Sequence, residues 1–356
     1  MSDVVSSPAD RVSWRSAMVG GVLGALSSPA TWPVALAGFL ARGGLILFVA
    51  PIMVIPTPAG VSNVIAPWLV PFYFGILSAG FVGFALVGVT AVLAWIVAGG
   101  LVGAWADVEL IRRGASNEEM VPTEVTDVPG ATVPTAAPDA GRALVANVFI
   151  VRLAAHAPLA IALAWGAGRI YEATYLELTN PLEVVSPLVV RIASAVPDAL
   201  LAVAVAWLVG EAAGSLAERS LVLDPGSRSL AGAFASGYRD LIRRPSAWAT
   251  LALTTAGLLL SLGPSLAGAW AGWSWARYVL RTVDNGPAVV ASIGAFVGLW
   301  LGGLALAAGV ASWRSHAWTA EWLRHRTPVR VEVGTIGGSA SPRPGGWSAS
   351  GSSGTV

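Results

Sequence analysis

Arg42, Arg152, His156 and Glu211 are ionisable residues set inside stretches otherwise built from apolar side chains. Ionisable groups are expensive in hydrocarbon, so they pair with one another or mark a site. Arg42 and Arg152 each sit about nine residues into an apolar stretch, roughly 13 Å along a helix. Glu211 precedes the end of a later stretch by about six residues, roughly 10 Å. Arg152 and Glu211 are therefore expected at similar depth on the two helices of one hairpin. Two chemistries fit this placement. One is a polar gate or substrate site formed by Arg42, Arg152 and Glu211. The other is a structural ion pair that lets the hairpin insert, with Arg42 snorkelling to the interface. His156 shares a helix face with Arg152 at the i+4 position. Two residues before the kink-forming Pro158, it either relays protons or hydrogen-bonds a neighbouring carbonyl. His316 and His325, near Glu321, read as a solvated helix end, and their spacing matches no zinc pattern.

Two glycine pairs set how closely helices can approach. Gly99-x-x-x-Gly103 and Gly210-x-x-x-Gly214 are small-residue faces that allow tight packing. Each follows a similar local sequence, Ala94-Trp95-Ile96-Val97 and Ala206-Trp207-Leu208-Val209.

The elements that carry these residues follow from composition. Hydrophobic residues make up 55% of the 356-residue chain and charged residues 12%; mean hydropathy is +0.70. From Gly43 to Ala106 there is no Asp, Glu, Arg or His, whereas one helical pass through a bilayer needs about 20 apolar residues. The class is an all-α, polytopic transmembrane bundle. Period-2 polarity, the mark of a membrane barrel, is absent. Six spans are predicted near 33–55, 78–106, 144–168, 194–217, 248–270 and 287–310, the second with an early start near Phe72 or a re-entrant piece around Pro67 and Pro71.

Arginine distribution orients the bundle. The N-terminal arm and segments 107–143, 218–247 and 311–356 hold most of the arginines, while the opposite loops hold only Arg169, Arg191, Arg277 and Arg281. The positive-inside rule then puts both termini in the cytoplasm, and the resemblance given below implies the plasma membrane of a prokaryote. Trp68, Tyr73, Tyr171, Tyr175, Trp270, Trp273, Trp275 and Tyr278 fall at the outer interface. The N-terminus lacks a basic segment running directly into an apolar core, so the first span is expected to be its own insertion signal.

An internal repeat runs through this pattern. Apolar stretches begin at Trp32, Arg142 and Trp248, at intervals of roughly 106 to 110 residues, and each ends near a Glu followed by Arg. This is the signature of a triplicated two-helix hairpin. Pro29-x-x-Trp32 opens the first span and Pro245-x-x-Trp248 the fifth. Ahead of them run Trp14, Met18, Val22, Leu26 and Leu230, Phe234, Tyr238, Ile242, one apolar stripe on each of two helices. These are expected to lie in the cytoplasmic headgroup plane. The chain divides into a disordered N-terminus (1–11), repeat 1 (12–113), an acidic disordered linker (114–141), repeat 2 (142–227), repeat 3 (228–332) and a disordered tail (333–356).

The layout resembles a group of prokaryotic six-span membrane proteins similar to the membrane domain that precedes the catalytic domain of some glycerophosphodiester phosphodiesterases. The resemblance rests on Arg243-Arg244-Pro245-Ser246-Ala247-Trp248, its partner Ser27-Ser28-Pro29-Ala30-Thr31-Trp32, and the repeat spacing over residues 12–326. It implies a membrane bundle and no catalytic residue, because the catalytic domain is absent.

Function classes narrow by elimination. A net charge of +1 gives no footprint for nucleic acid. Without Lys there is no Walker A loop, and without Cys there is neither thiolate chemistry nor a Cys-ligated metal. No HExxH or Gly-x-Ser-x-Gly motif occurs. No cofactor, no metal and no catalytic residue is expected. The reading is a non-enzymatic integral membrane protein that binds membrane lipids or supports partner membrane proteins. The alternative is a small transporter or channel passing Arg42, Arg152, His156 and Glu211.

Overall fold

The computed structural model describes residues 13–52, 75–76, 78–118, 138–179, 188–224, 229–282 and 285–325. Among them there is helix and no strand. The expected N-terminal arm, the tail, Trp68, Tyr73, Pro67, Pro71 and most of the acidic linker lie outside the described residues.

The chain forms α1 (Trp14–Ser27), a 3₁₀ turn (Pro29–Thr31), α2 (Trp32–Phe39), a π turn (Leu40–Gly44), α3 (Leu45–Val49), α4 (Ala79–Glu118), α5 (Pro138–Ala155), α6 (Ala157–Thr179), α7 (Leu188–Ala195), α8 (Pro197–Leu223), α9 (Leu230–Arg243), α10 (Pro245–Thr282) and α11 (Gly286–Leu323). Among the described residues five helical segments are long and apolar enough to cross a bilayer, or six if α5 and α6, bent by 44° at their junction, count as one span. The chain is a multi-pass helical membrane protein.

The spans are longer than hydropathy suggested. α4 covers 40 residues and α10 and α11 cover 38 each, close to 60 Å at about 1.5 Å per residue, roughly twice the hydrocarbon core. Each of these helices therefore has two halves in different surroundings. In α4 the large apolar side chains from Val82 to Val102 stand exposed, whereas Ala104, Ala106, Val108, Leu110 and Ile111 are buried. α8 changes in the same way between Trp207 and Gly210, and α11 between Leu306 and Ala307. The exposed halves suit lipid, where the backbone is satisfied within the helix. The buried halves pack on one another through small residues.

The helices run past the expected span ends in several places. Asp107, Glu218, Arg219 and Arg314, assigned to cytoplasmic segments, lie within α4, α8 and α11 and face the protein interior. The linker expected over 114–141 is helical at both ends, through Glu118 and from Pro138. Trp270, Trp273, Trp275 and Tyr278 ride on α10 itself.

The returning helices α4, α8 and α11 touch one another, and the leading helices surround them: α2 packs on α4 and α11, α5 on α4 and α8, and α10 on α11. The two helices ahead of Pro-x-x-Trp are built alike. α1 and α9 both have 14 residues, and each begins on a serine N-cap: Ser13 Oγ accepts from Ser16 N and Ser229 Oγ from Gly232 N. Their packing faces differ from the expected stripes. In α1 the buried side is Ala17, Met18, Gly21 and Ala25, against α11, while Val22 and Leu26 are exposed. In α9 Leu230, Phe234 and Tyr238 are half-buried, and Ile242 is 79% exposed. Close contact selects small residues: a Cβ on Gly21 would meet Ala317 Cα at 3.0 Å.

The glycine pairs seat two breaks in the leading helices. The chain breaks at the π turn, where Arg42 (φ −88°, ψ 17°) is followed by Gly43 at φ +108°. Only glycine takes that conformation cheaply. A Cβ on Gly99 would strike the Ala41 carbonyl, and one on Gly103 would meet Arg42 Nε at 2.6 Å. The second break is at His156, where Pro158 removes a donor and crowds the preceding turn. Here Gly210 faces the Ala155 carbonyl, 2.9 Å from where its Cβ would be, and Gly214 faces Ala155 Cβ. Tyr238 on α9 donates its hydroxyl to the same Ala155 carbonyl at 2.8 Å.

Substituting Gly210 with Leu should lower stability by about 1–3 kcal/mol, the usual cost of overpacking. Gly298→Leu, at an exposed position with nothing within 4 Å of its Cβ site, should be neutral. Thermal unfolding of the two variants in detergent checks the contrast, and equal transitions would reject the role assigned to Gly210.

A charged cleft where the helices break

The four ionisable residues singled out in the sequence meet in one place. Arg152 is the hub. Its Nη2 donates to Glu211 Oε1 at 2.7 Å and Oε2 at 2.8 Å, and its Nη1 donates to Glu218 Oε1 at 2.7 Å and Asp107 Oδ2 at 3.0 Å. Asp107 Oδ2 also pairs with Arg42 Nη2, which donates to the Gly103 carbonyl at 2.9 Å. Glu211 Oε1 takes a further bond from Arg314 Nη2 at 3.0 Å. The network therefore joins two leading helices to all three returning ones.

His156 stands at the rim of this network. Its Nδ1 lies 2.9 Å from the Arg152 carbonyl and its Nε2 3.5 Å from Glu211 Oε2. The first contact is the carbonyl bond that a histidine at a helix break can make. The second puts the ring beside a carboxylate that already accepts from two arginines.

Burial makes the pairing obligatory. Glu218 is 1% exposed, Arg219 3% and Glu211 9%, so their charges have lost most of their water. Desolvating a charge costs several kcal/mol, which only close partners offset. Arg219 differs from its neighbours. It donates to the Ser215 carbonyl at 2.7 Å and the Ser315 carbonyl at 2.9 Å, and its buried Nε reaches no acceptor among the described residues.

A cleft of about 680 Å³ opens onto this network, within the usual range for small-molecule sites. Its polar floor is formed by the charged residues just described. Its walls are apolar, with Trp95, Ile96, Leu159, Trp207, Leu259 and Leu262 among them. The lining thus combines a cluster of charged groups with a large apolar surface.

No family model, curated protein or solved structure matches the chain. The chemistry of the cleft must therefore be argued from its own residues.

Asp107, Glu218, Arg219 and Arg314 were missed in the sequence because hydropathy ends a span at the first charge. Their signal was periodicity: Glu211, Glu218 and the intervening Gly214 and Ser215 share one side of α8, at helical spacing. His316 also departs from its expected solvated position. It is 3% exposed, and its Nδ1 lies 2.9 Å from the Ser312 carbonyl. His325 sits beside Glu321, which is fully buried and accepts from Arg324 and Ser246, each at 2.7 Å.

Glu211→Gln should cost about 3–5 kcal/mol, since it leaves Arg152 and Arg314 short of a buried counter-charge. Arg42→Gln should cost less, because Arg42 is the most exposed member of the network, at 31% of its side chain. Thermal melts of the two purified variants give the order. A Glu211→Gln protein as stable as the parent would show that the network does not hold the bundle together.

Proposed function

We propose that the chain is a non-enzymatic integral membrane protein that binds a membrane amphiphile in the charged cleft. The observation that carries this reading is the two-sided lining: a floor of desolvated ion pairs and walls of tryptophan and leucine. A soluble metabolite has no use for so much apolar wall, and a purely apolar ligand has none for the floor. The seam between lipid-exposed and self-packed helix halves runs through the same level, which suits a molecule entering sideways from the bilayer.

The proposed architecture is a triplicated hairpin with its termini and its two short helices, α1 and α9, on the cytoplasmic face. Several features support triplication beyond sequence spacing. The helix pair α1 and α9 agrees in length, cap and distance from Pro-x-x-Trp. Arg113, paired with Glu109, donates to the carbonyl of Ala30 at 3.4 Å, while Glu321 accepts from Ser246. Ala30 and Ser246 hold the same position in the two Pro-x-x-Trp segments, so two of the returning helices, α4 and α11, each latch to the start of their own hairpin. The exposed apolar face of α1, with Arg15 beside it, suits a headgroup plane. This layout keeps the resemblance to the membrane domain of glycerophosphodiester phosphodiesterases and takes no catalytic role from it. The exposed half of α4, none of whose most apolar window is buried, offers surface to lipid or to partner membrane proteins.

Transport is the second reading, favoured by one observation. Two leading spans break at the network, at Gly43 and at His156, and discontinuous helices are how transporters build midplane sites.

Native mass spectrometry of the full chain released from nanodiscs should find a stoichiometric lipid, and Leu259→Asp should lose it. A bare protein that instead moves solute in liposomes, with flux abolished by Glu211→Gln, would replace binding by transport. Orientation has its own check. Because the chain has no cysteine, single cysteines at Ser13 and Ser229 should react with an impermeant maleimide only from the cytoplasmic side, and one at Thr282 only from outside.

A further inference from the structure

We propose that the cleft selects an amphiphile with an anionic, phosphate-bearing headgroup, and that Arg219 is the cation this headgroup neutralises. The inference rests on the amphiphile reading above and deepens it. Four arginines and three carboxylates line the cleft. The carboxylates are fully engaged: Asp107 with Arg42 and Arg152, Glu211 with Arg152 and Arg314, and Glu218 with Arg152. One positive charge remains. It is least matched at Arg219, which is 3% exposed and hydrogen-bonded only to two backbone carbonyls, its Nε reaching no acceptor among the described residues; Glu218 and Asp107 attract it, but both are bonded to other arginines.

Carbonyl dipoles orient a guanidinium but do not cancel its charge. A desolvated cation whose nearby carboxylates are bonded to other arginines is incompletely neutralised, and a guanidinium fork matches the oxygens of a phosphate. Arg219 donates to the carbonyl of Ser315, whose preceding residue, Arg314, is a second cation lining the same cleft. An anion bound here would complete the network rather than disturb it.

The hydrocarbon end of the ligand is set by an asymmetry among the hairpins. The position ten residues after Trp32 is Arg42, and ten after Arg142 is Arg152. Ten after Trp248 it is Leu258. The third arm of the charged floor is thus replaced by an apolar side, continued by Leu259 and Leu262 along α10. Leu259 is 64% exposed and Leu260 75%, so this side of the cleft runs out to the lipid-facing surface. A phosphate ion would satisfy Arg219 alone. A phospholipid satisfies Arg219 and covers the leucine side as well.

The test compares ligands on the full chain in neutral maltoside detergent. Binding by native mass spectrometry and thermal stabilisation are read with phosphatidylglycerol, phosphatidylcholine and inorganic phosphate. Phosphatidylglycerol is expected to bind at least about tenfold more tightly than phosphatidylcholine, a difference near 1.4 kcal/mol, and millimolar phosphate to give no comparable shift. Arg219→Gln should erase the preference and Arg219→Lys should keep it. Equal binding of the two lipids overturns the anionic headgroup and leaves the amphiphile reading standing. Failure to bind either lipid overturns both. Full stabilisation by phosphate alone overturns the lipid source and assigns the site to a soluble anion. The comparison on the parent protein decides even if Arg219→Gln does not fold.

Discussion

Arg152 is the constraint on which the arrangement of helices depends. One guanidinium bonds carboxylates from α4 and α8 at three separate positions, Asp107, Glu211 and Glu218. In water such contacts contribute little. Among buried helices each carboxylate must find its cation, and the cation its carboxylates, so the relative rotation and depth of α4, α5 and α8 are fixed together. Arg42 and Arg314 extend the same demand to α2 and α11. Apolar packing alone would tolerate sliding of these helices; the ion pairs do not.

The helix breaks follow from this demand. A straight leading helix presents its side chains on a regular spiral, whereas the floor needs arginines reaching inward at one level from two directions. The π turn at Leu40–Gly44 and the bend at His156 re-aim the chain where Arg42 and Arg152 stand. Each break exposes backbone that a neighbour must approach closely. Glycine supplies that approach, with Gly99 and Gly103 at the first break and Gly210 and Gly214 at the second. Charge, break and glycine form one device, used at Arg42 and at Arg152.

Part of this device was legible in the residues. The apolar stretches gave the helical membrane class, and the isolated charges Arg42, Arg152, His156 and Glu211 pointed to a common level. The glycine spacings marked surfaces of close contact, though not that their partners would be broken turns. Three of the network's members, Asp107, Glu218 and Arg314, and Arg219 beside them, were hidden by the rule that a span ends at its first charge. That rule reads the cost of a charge in lipid and ignores its stabilisation by protein. Once helices outrun the bilayer, as α4 and α11 do, charges past the apolar stretch still lie on helix faces and turn inward. The apolar stripes of α1 and α9 were only partly the packing faces: Val22, Leu26 and Ile242 stand exposed, while Met18 on α1 is buried together with Ala17, Gly21 and Ala25.

The sequence by itself determined the helical membrane class and the need for the embedded charges to be paired, because each follows from the free energy of moving groups between water and hydrocarbon. Tertiary structure decided which charge meets which, that Arg219 is left without a bonded carboxylate, and that a cleft opens beside it. Those outcomes depend on the rotation, bend and overlap of helices distant in sequence. Pair energies fall steeply with distance and rise with burial, and neither quantity exists until the helices have packed.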